Sequence, residues 1–145
     1  MAGYVLEGYA GPTETWLALW DAARSSAERA EAHKNATRCL GVLQRFARMF
    51  PVGVPRAALC RGIYERIARR PAQSAAAFER SLAAAERLAM PYERGLAASE
   101  LGQLLGPTSQ RGAELLTLAY ETFASIGAVD DARQALRRQR GKATA

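Results

Sequence analysis

The stretch FERSLAAAERLAMPYERGLAASELGQLL, residues 78–105, decides the fold because it carries two apolar stripes separated by a proline. The first stripe is Phe78, Leu82, Ala85 and Ala89, and the second is Ala97, Leu101 and Leu104. Residues three and four positions apart lie on one face of an α-helix, so each stripe predicts a helix with one buried face. Proline is tolerated in the first turn of a helix and breaks its interior, so Pro91 marks where the second helix begins. The stretch therefore predicts two consecutive helices.

The same organisation extends over the rest of the chain. Apolar stripes with helical spacing are separated by Pro51, Pro55, Pro71, Pro91 and Pro107. Hydrophobic residues, rich in Ala and Leu, make up 49% of the chain, and such a composition favours helix over strand. Gly106 and Gly127 stand where helix C-caps belong, and Asp130 and Asp131 where a last helix begins. We predict an all-α fold of about seven helices.

A degenerate repeat links these helices. A shift of 40 residues places Phe50-Pro51 on Met90-Pro91 and Gly62 on Gly102. A shift of 38 residues places Phe78 on Leu116 and Ala85 on Phe123. Periods of this length are typical of stacked helical units, and a glycine in a helix allows a neighbouring helix to approach closely. We therefore expect helix pairs that stack on one another.

These residues resemble the tetratricopeptide repeat superfamily in its irregular form. The likeness rests on Gly62 followed sixteen positions later by Phe78, and on Leu101-Gly102 in the next repeat. Residues 78–105 are similar to helical repeats at the C-terminal end of large bacterial signalling proteins, as are LEGYAGPTETWLALW (6–20) and RFARMFPVGVPRAAL (45–59). Those proteins join an ATPase module to a nucleotidyl cyclase, kinase or DNA-binding output domain. The resemblance implies a right-handed α-solenoid of antiparallel helix pairs acting as a regulatory part of a larger protein.

The helix boundaries predict a single helical-repeat domain over residues 1–145. Its expected parts are an N-terminal arm or kinked helix extension (1–12), a first helix pair (13–50), a second pair (54–89), a third pair (91–127), a terminal helix (128–140) and a disordered tail (141–145).

Residue patterns of catalytic and metal sites are lacking. His33 is the only histidine, and beside Glu31 and Lys34 it is typical of a surface residue. Cys39 and Cys60 lack metal-ligand spacing and indicate buried free thiols in a cytoplasmic protein. No apolar run approaches the roughly 18 residues that a membrane span needs. We expect no catalytic residue, no metal, no cofactor and no membrane association.

Surface recognition is the function that remains. In the superfamily that the chain resembles, the first helix of each pair lines a concave face where partners lie. Carried over from Gly62 and Gly102, that face presents Arg56, Arg66, Ser99 and Gln103 as candidate partner-binding residues. The expected partner is a protein or peptide, or another domain of a parent protein.

Two alternatives remain open. The net charge is +6, and 18 of the 20 Lys and Arg residues are Arg, so the segment from Arg45 to Arg70 and the tail at residues 137–142 are candidates for nucleic-acid binding. The arginines after Arg56 scatter around the helix axis, which makes nucleic acid the less favoured partner.

The other alternative is structural self-association as a homodimer. The aromatic residues Tyr9, Trp16 and Trp20 are typical of a solenoid edge that lacks a preceding repeat, and this edge would pair with a copy of itself.

Overall fold

A computed structural model describes residues 2–141 of the chain. Its helices are α1 (Ala2–Ala22), α2 (Ser26–Met49), a short 3₁₀-helix (Pro51–Gly53), α3 (Val54–Ile67), α4 (Pro71–Arg87), α5 (Pro91–Leu105), α6 (Gln110–Ser125) and α7 (Val129–Gln139). The predicted all-α fold with about seven helices is confirmed for the described residues, which contain no strand. No helix among them is both long and apolar enough to cross a bilayer. Of the predicted disordered tail, residues 142–145 lie outside the described residues.

Contacts divide the chain into two compact units, Met1–Ala77 and Phe78–Ala145, with the division inside α4. The core of the first unit is formed by α1, α2 and α3, and its largest fully buried side chains include Leu17 and Leu43. Ser25 begins α2 as its N-cap, since its Oγ accepts a hydrogen bond from the Glu28 N–H at 3.1 Å. The Glu28 carboxylate accepts in turn from the Arg24 N–H at 3.2 Å, and this reciprocal arrangement fixes the start of α2.

The expected arm or kinked extension at residues 1–12 belongs to α1 over its described part. The helix runs from Ala2 to Ala22 with Pro12 inside it. Hydroxyls of the next turn bond to backbone oxygens, with Thr13 Oγ1 donating to the Tyr9 oxygen and Thr15 Oγ1 to the Gly11 oxygen, each at 2.9 Å. Proline has no N–H to donate to the Gly8 carbonyl four residues earlier. Because Pro12 is exposed, this carbonyl lies on the solvent-exposed side of α1.

In the second unit, α5, α6 and α7 pack together, and the buried side chains of this unit include Leu101, Leu116, Phe123 and, from α4, Phe78. The close approach predicted at Gly102 is present, because a Cβ added there would lie 2.8 Å from Leu116 Cγ. Gly106 and Gly127 have φ angles of 88° and 75°, which confirms both predicted C-terminal glycines.

Three helices end in the same hydrogen-bond motif. The N–H of Arg70 donates to the Glu65 oxygen, that of Met90 to the Ala85 oxygen, and that of Ala128 to the Phe123 oxygen, each at 2.9 Å. The residue before each donor has a positive φ: Arg69 at 60°, Ala89 at 52° and Gly127 at 75°. This is the Schellman arrangement. Only one of these three helix ends has the glycine that usually identifies the Schellman motif in a sequence.

Candidate functional site

Helix α1 carries a second apolar stripe beside its buried one. The buried stripe is Leu6, Ala10, Thr13, Leu17 and Trp20, and the second is Val5, Tyr9, Pro12, Trp16 and Leu19. At 3.6 residues per turn the second stripe lies about 100° further round the helix. Val5 and Leu19 are each 50% exposed, so this face of α1 is apolar without being covered. Exposed apolar stripes of this kind mark binding surfaces.

Two surface depressions continue this stripe onto α2. The first, of about 230 Å³, is lined by Gly8, Tyr9, Pro12, Arg38, Cys39 and Val42. The second, of about 320 Å³, is lined by Trp16, Leu19, Ala22, Ala23, Glu28, Glu31 and Ala32. The N-terminal half of α1 thus lies beside the C-terminal half of α2, and the C-terminal half of α1 lies beside the N-terminal half of α2. The two helices are therefore antiparallel. We call the two depressions together the α1–α2 groove; from Gly8 to Ala22 it is about 21 Å long at 1.5 Å per residue.

Charge changes sign along the α2 edge of the groove. Glu28 and Glu31 line one end and Arg38 lines the other. Arg45 lies seven residues after Arg38 and is therefore on the same side of the helix, as Glu31 is seven residues before it. Within residues 4–141, Glu31, Arg38 and Arg45 make no salt bridge with another side chain, and Arg38 Nη2 donates to Asn35 Oδ1 at 3.3 Å. Lys34, which is exposed, lies three residues after Glu31 and four before Arg38 on the same side, so the edge is acidic at Glu28 and Glu31 and basic from Lys34 onward.

The predicted edge residues divide between two places. Tyr9 and Trp16 line the α1–α2 groove, whereas Trp20 is buried on the other stripe. Trp20 packs against His33 and Tyr64, with ring centroids 4.6 and 5.0 Å away. His33 is exposed as predicted, and its Nε2 lies 2.9 Å from the Tyr64 hydroxyl. His33 thus links α2 to α3 over the Trp20 ring, a role that its sequence neighbours do not indicate.

Arg56 and Arg66, predicted to face a partner, bind α1 instead. The Arg56 side chain is 4% exposed, with Nη1 3.0 Å from Glu14 Oε1 and Nη2 3.4 Å from Glu7 Oε1. Arg66 donates from Nη1 and Nη2 to Asp21 Oδ2, each at 3.2 Å. The three carboxylates stand seven residues apart on one side of α1, and this spacing is the sequence signal that identifies the contact. The expectation of an open Arg56 surface is corrected: the guanidinium is held between helices.

We expect Arg56→Ala to lower the free energy of unfolding by about 2 kcal/mol, because it removes a packed side chain and leaves two carboxylates near each other. Arg56→Lys should cost about half as much, since an ammonium lacks the forked geometry that reaches both carboxylates. Arg80→Ala, at an exposed position of α4, is the control and should change stability by less than about 0.5 kcal/mol. Urea unfolding followed by circular dichroism measures all three. Equal stability of Arg56→Ala and Arg80→Ala would contradict the contact's role.

The two predicted partner-binding residues of the second unit, Ser99 and Gln103, differ in exposure. Ser99 is buried, and its Oγ accepts from Arg138 Nη1 at 2.8 Å. Arg138 Nη2 lies 2.9 Å from Glu100 Oε1, so this arginine of the basic tail segment fastens α7 to α5. Gln103 is exposed on α5. Ser99 therefore serves an internal contact, and of the pair only Gln103 lies at the surface.

Ion pairs also occupy the basic segment from Arg45 to Arg70. Arg61 Nη2 lies 2.6 Å from Glu65 Oε1, and Arg70 Nε lies 3.1 Å from Glu65 Oε2. With Arg56 and Arg66 bound to α1, four arginines of the segment have carboxylate partners. Such pairing leaves less basic charge for phosphate groups than the sequence suggests.

No group of three or more His, Cys, Asp or Glu side chains in the described part of the chain is arranged to hold a metal ion. Cys60 is buried and Cys39 half-buried. The α1–α2 groove is therefore the candidate functional site, on the strength of its exposed apolar floor and its charged edge. In comparisons with known proteins, no family model, curated protein or solved structure matches the chain.

Proposed function

We propose that the protein is a non-enzymatic interaction module whose α1–α2 groove binds one helix of a protein partner. The observation that carries the proposal is the exposed stripe of α1, which is continuous with the α1–α2 groove. An amphipathic helix fits such a groove by placing residues i, i+3 or i+4 and i+7 on its floor. The edge charges define the partner's chemistry: basic side chains near Glu31 and acidic ones near Arg38.

We further propose that the seven helices form a right-handed α-solenoid of antiparallel pairs, similar to tetratricopeptide repeats. The degenerate repeat of 38 to 40 residues and the close packing of α5 against α6 at Gly102 support this proposal. On the sequence resemblance, the module would be a cytoplasmic, regulatory part of a larger bacterial signalling protein. The exposed apolar stripe of α1 is the surface of this module that a partner would cover.

A photo-crosslinking amino acid placed at position 19 tests the site. Leu19 lies in the groove, and Leu105, which is 39% exposed at the end of α5, provides a matched position outside it. We expect the probe at position 19 to join covalently to a protein chain in the cells that make the protein, and the probe at position 105 to give no such product. The joined chain is then identified by mass spectrometry and purified.

With the purified partner, Leu19→Asp should weaken binding about tenfold or more, because the interface would bury a carboxylate in place of an apolar side chain. Leu105→Asp makes the same change outside the groove and should leave the affinity unchanged. Calorimetry or fluorescence anisotropy gives both dissociation constants. If the two variants bind the partner equally well, or if both positions crosslink to the same chains, the groove is not the site.

A further inference from the structure

The charged edge of the α1–α2 groove is complementary to itself. Glu31, Arg38 and Arg45 follow one another at seven-residue intervals along the same side of α2. Two copies placed groove to groove and related by a two-fold axis perpendicular to the helices run in opposite directions, and the symmetry makes every contact occur twice. The acidic end of each copy then meets the basic end of the other. Parallel placement would instead set like charges against each other.

We infer that the groove is covered by the α1–α2 face of a second copy of this chain, and that the two copies form an antiparallel dimer with Glu31 of each copy beside Arg38 of the other. This inference rests on the proposed function and names its partner. The pairing places the two-fold axis beside Lys34 and Asn35 on α2, midway between the two charges, so the two Lys34 side chains lie near each other across the axis. Across the groove from Asn35, the residue of α1 nearest the axis is Trp16. It lies between Pro12, at the basic end of the groove, and Leu19, at the acidic end.

The apolar floor suits this arrangement. With the axis near Trp16, the two Trp16 side chains approach each other, and Pro12 of each copy faces Leu19 of the other. Tyr9 then lies toward Ala22 and Ala23 of the second copy, so a large side chain meets small ones, as close packing requires. The centre of the interface is aromatic and its edge is charged, which is the composition typical of protein interfaces.

Gly8 agrees with a close approach of a second α1. It lines the groove, and an added Cβ there would meet nothing within 4 Å, so no packing inside the chain accounts for this glycine. It lowers helix stability by about 1 kcal/mol relative to alanine. A neighbouring helix that comes close to this side of α1 would account for the absence of a side chain at this position.

Charge reversal tests the pairing. Glu31→Arg and Arg38→Glu each set like charges together at both symmetric contacts, and each should weaken the dimer about tenfold or more at low salt. The double variant Glu31→Arg/Arg38→Glu restores opposite charges and should return the dissociation constant to within about threefold of the wild-type value. Glu121→Arg and Arg80→Glu make the same charge changes at exposed positions outside the groove and should have no effect. Sedimentation equilibrium measures each constant, and circular dichroism checks that each variant is folded.

A wild-type chain that stays monomeric up to about 1 mM would overturn the inference, because dissociation constants above this value correspond to less than about 4 kcal/mol of binding. A double variant that dimerises as weakly as the single variants would overturn the proposed pairing as well. The failure of the dimer is distinguishable from that of the proposed function. If the chain is monomeric while a different protein crosslinks at position 19 and its binding depends on Leu19, the groove binds a foreign helix and only the dimer is wrong.

Discussion

Phe123→Ala is expected to lower the free energy of unfolding by about 3–5 kcal/mol, the range found for buried aromatic side chains. Phe123 is 1% exposed and lies against α5, where a Cβ added to Gly95 would be 2.6 Å from its ring atom Cε1. The ring therefore occupies the space that a side chain at position 95 would need. Removing the ring leaves a cavity beside a glycine.

This geometry makes the effect of Gly95→Ala depend on residue 123. With Phe123 present, the added methyl group forces the buried ring to move, and we expect a loss of about 1–3 kcal/mol from overpacking. In the Phe123→Ala background the space is open, and the better helix propensity of alanine at position 95 should raise stability by up to about 1 kcal/mol. The same substitution thus changes sign between the two backgrounds.

Urea unfolding of the four proteins in this double-mutant cycle measures the coupling. Both tryptophans lie in the first unit, so their fluorescence does not report on the second, and hydrogen exchange of the α5 and α6 amides is the better local probe. A Gly95→Ala effect of equal size and sign in both backgrounds would show that Phe123 does not fill this space.

The course of the helices could be predicted from the sequence because local chemistry determines it. Pro71 and Pro91 stand in the first residues of α4 and α5, where a missing N–H has no cost. Gly106 and Gly127 end α5 and α6 with positive φ. Each of these signals acts within a few residues, so no knowledge of the tertiary fold is needed to interpret it.

Pro12 shows where such local signals mislead. Gly11-Pro12 is typical of a helix start, yet α1 passes through it. The apolar stripe that continues on both sides of the proline is the stronger signal, since burial of Leu6 and Ala10 together with Leu17 stabilises the whole helix against the loss of one hydrogen bond.

The candidate site was harder to predict because it depends on which helix faces which. Arg56 and Arg66 look like exposed basic residues until α1 places Glu7, Glu14 and Asp21 opposite them. Helical spacing groups Tyr9, Trp16 and Trp20 together, and only the packing of α1 shows that Trp20 is buried while Tyr9 and Trp16 line the groove. The charged residues along α2 can be assigned to the edge of the groove only when it is known that α1 and α2 lie side by side.

Gly112→Ala should also be strongly destabilising, by about 3 kcal/mol, because the strain of an overpacked site adds to the loss of a helix cap. A Cβ at position 112 would overlap the backbone oxygen of Gly106 and come within 2.6 Å of Ser109 Oγ. Backbone atoms cannot move aside as the end of a flexible side chain can. The turn between α5 and α6 would have to open.

One hydroxyl group makes two hydrogen bonds in that turn. Ser109 Oγ accepts from the Gly112 N–H and donates to the Gly106 oxygen, each at 3.0 Å, so any shift of residue 112 breaks both bonds. Gly41→Ala is the matched control, because its nearest neighbour would be 4.0 Å away, and it should stabilise α2 by up to about 1 kcal/mol. Thermal unfolding and hydrogen exchange at the start of α6 separate the two outcomes. Equal stability of the two alanine variants would mean that the turn tolerates a side chain and that Gly112 is not required for the cap.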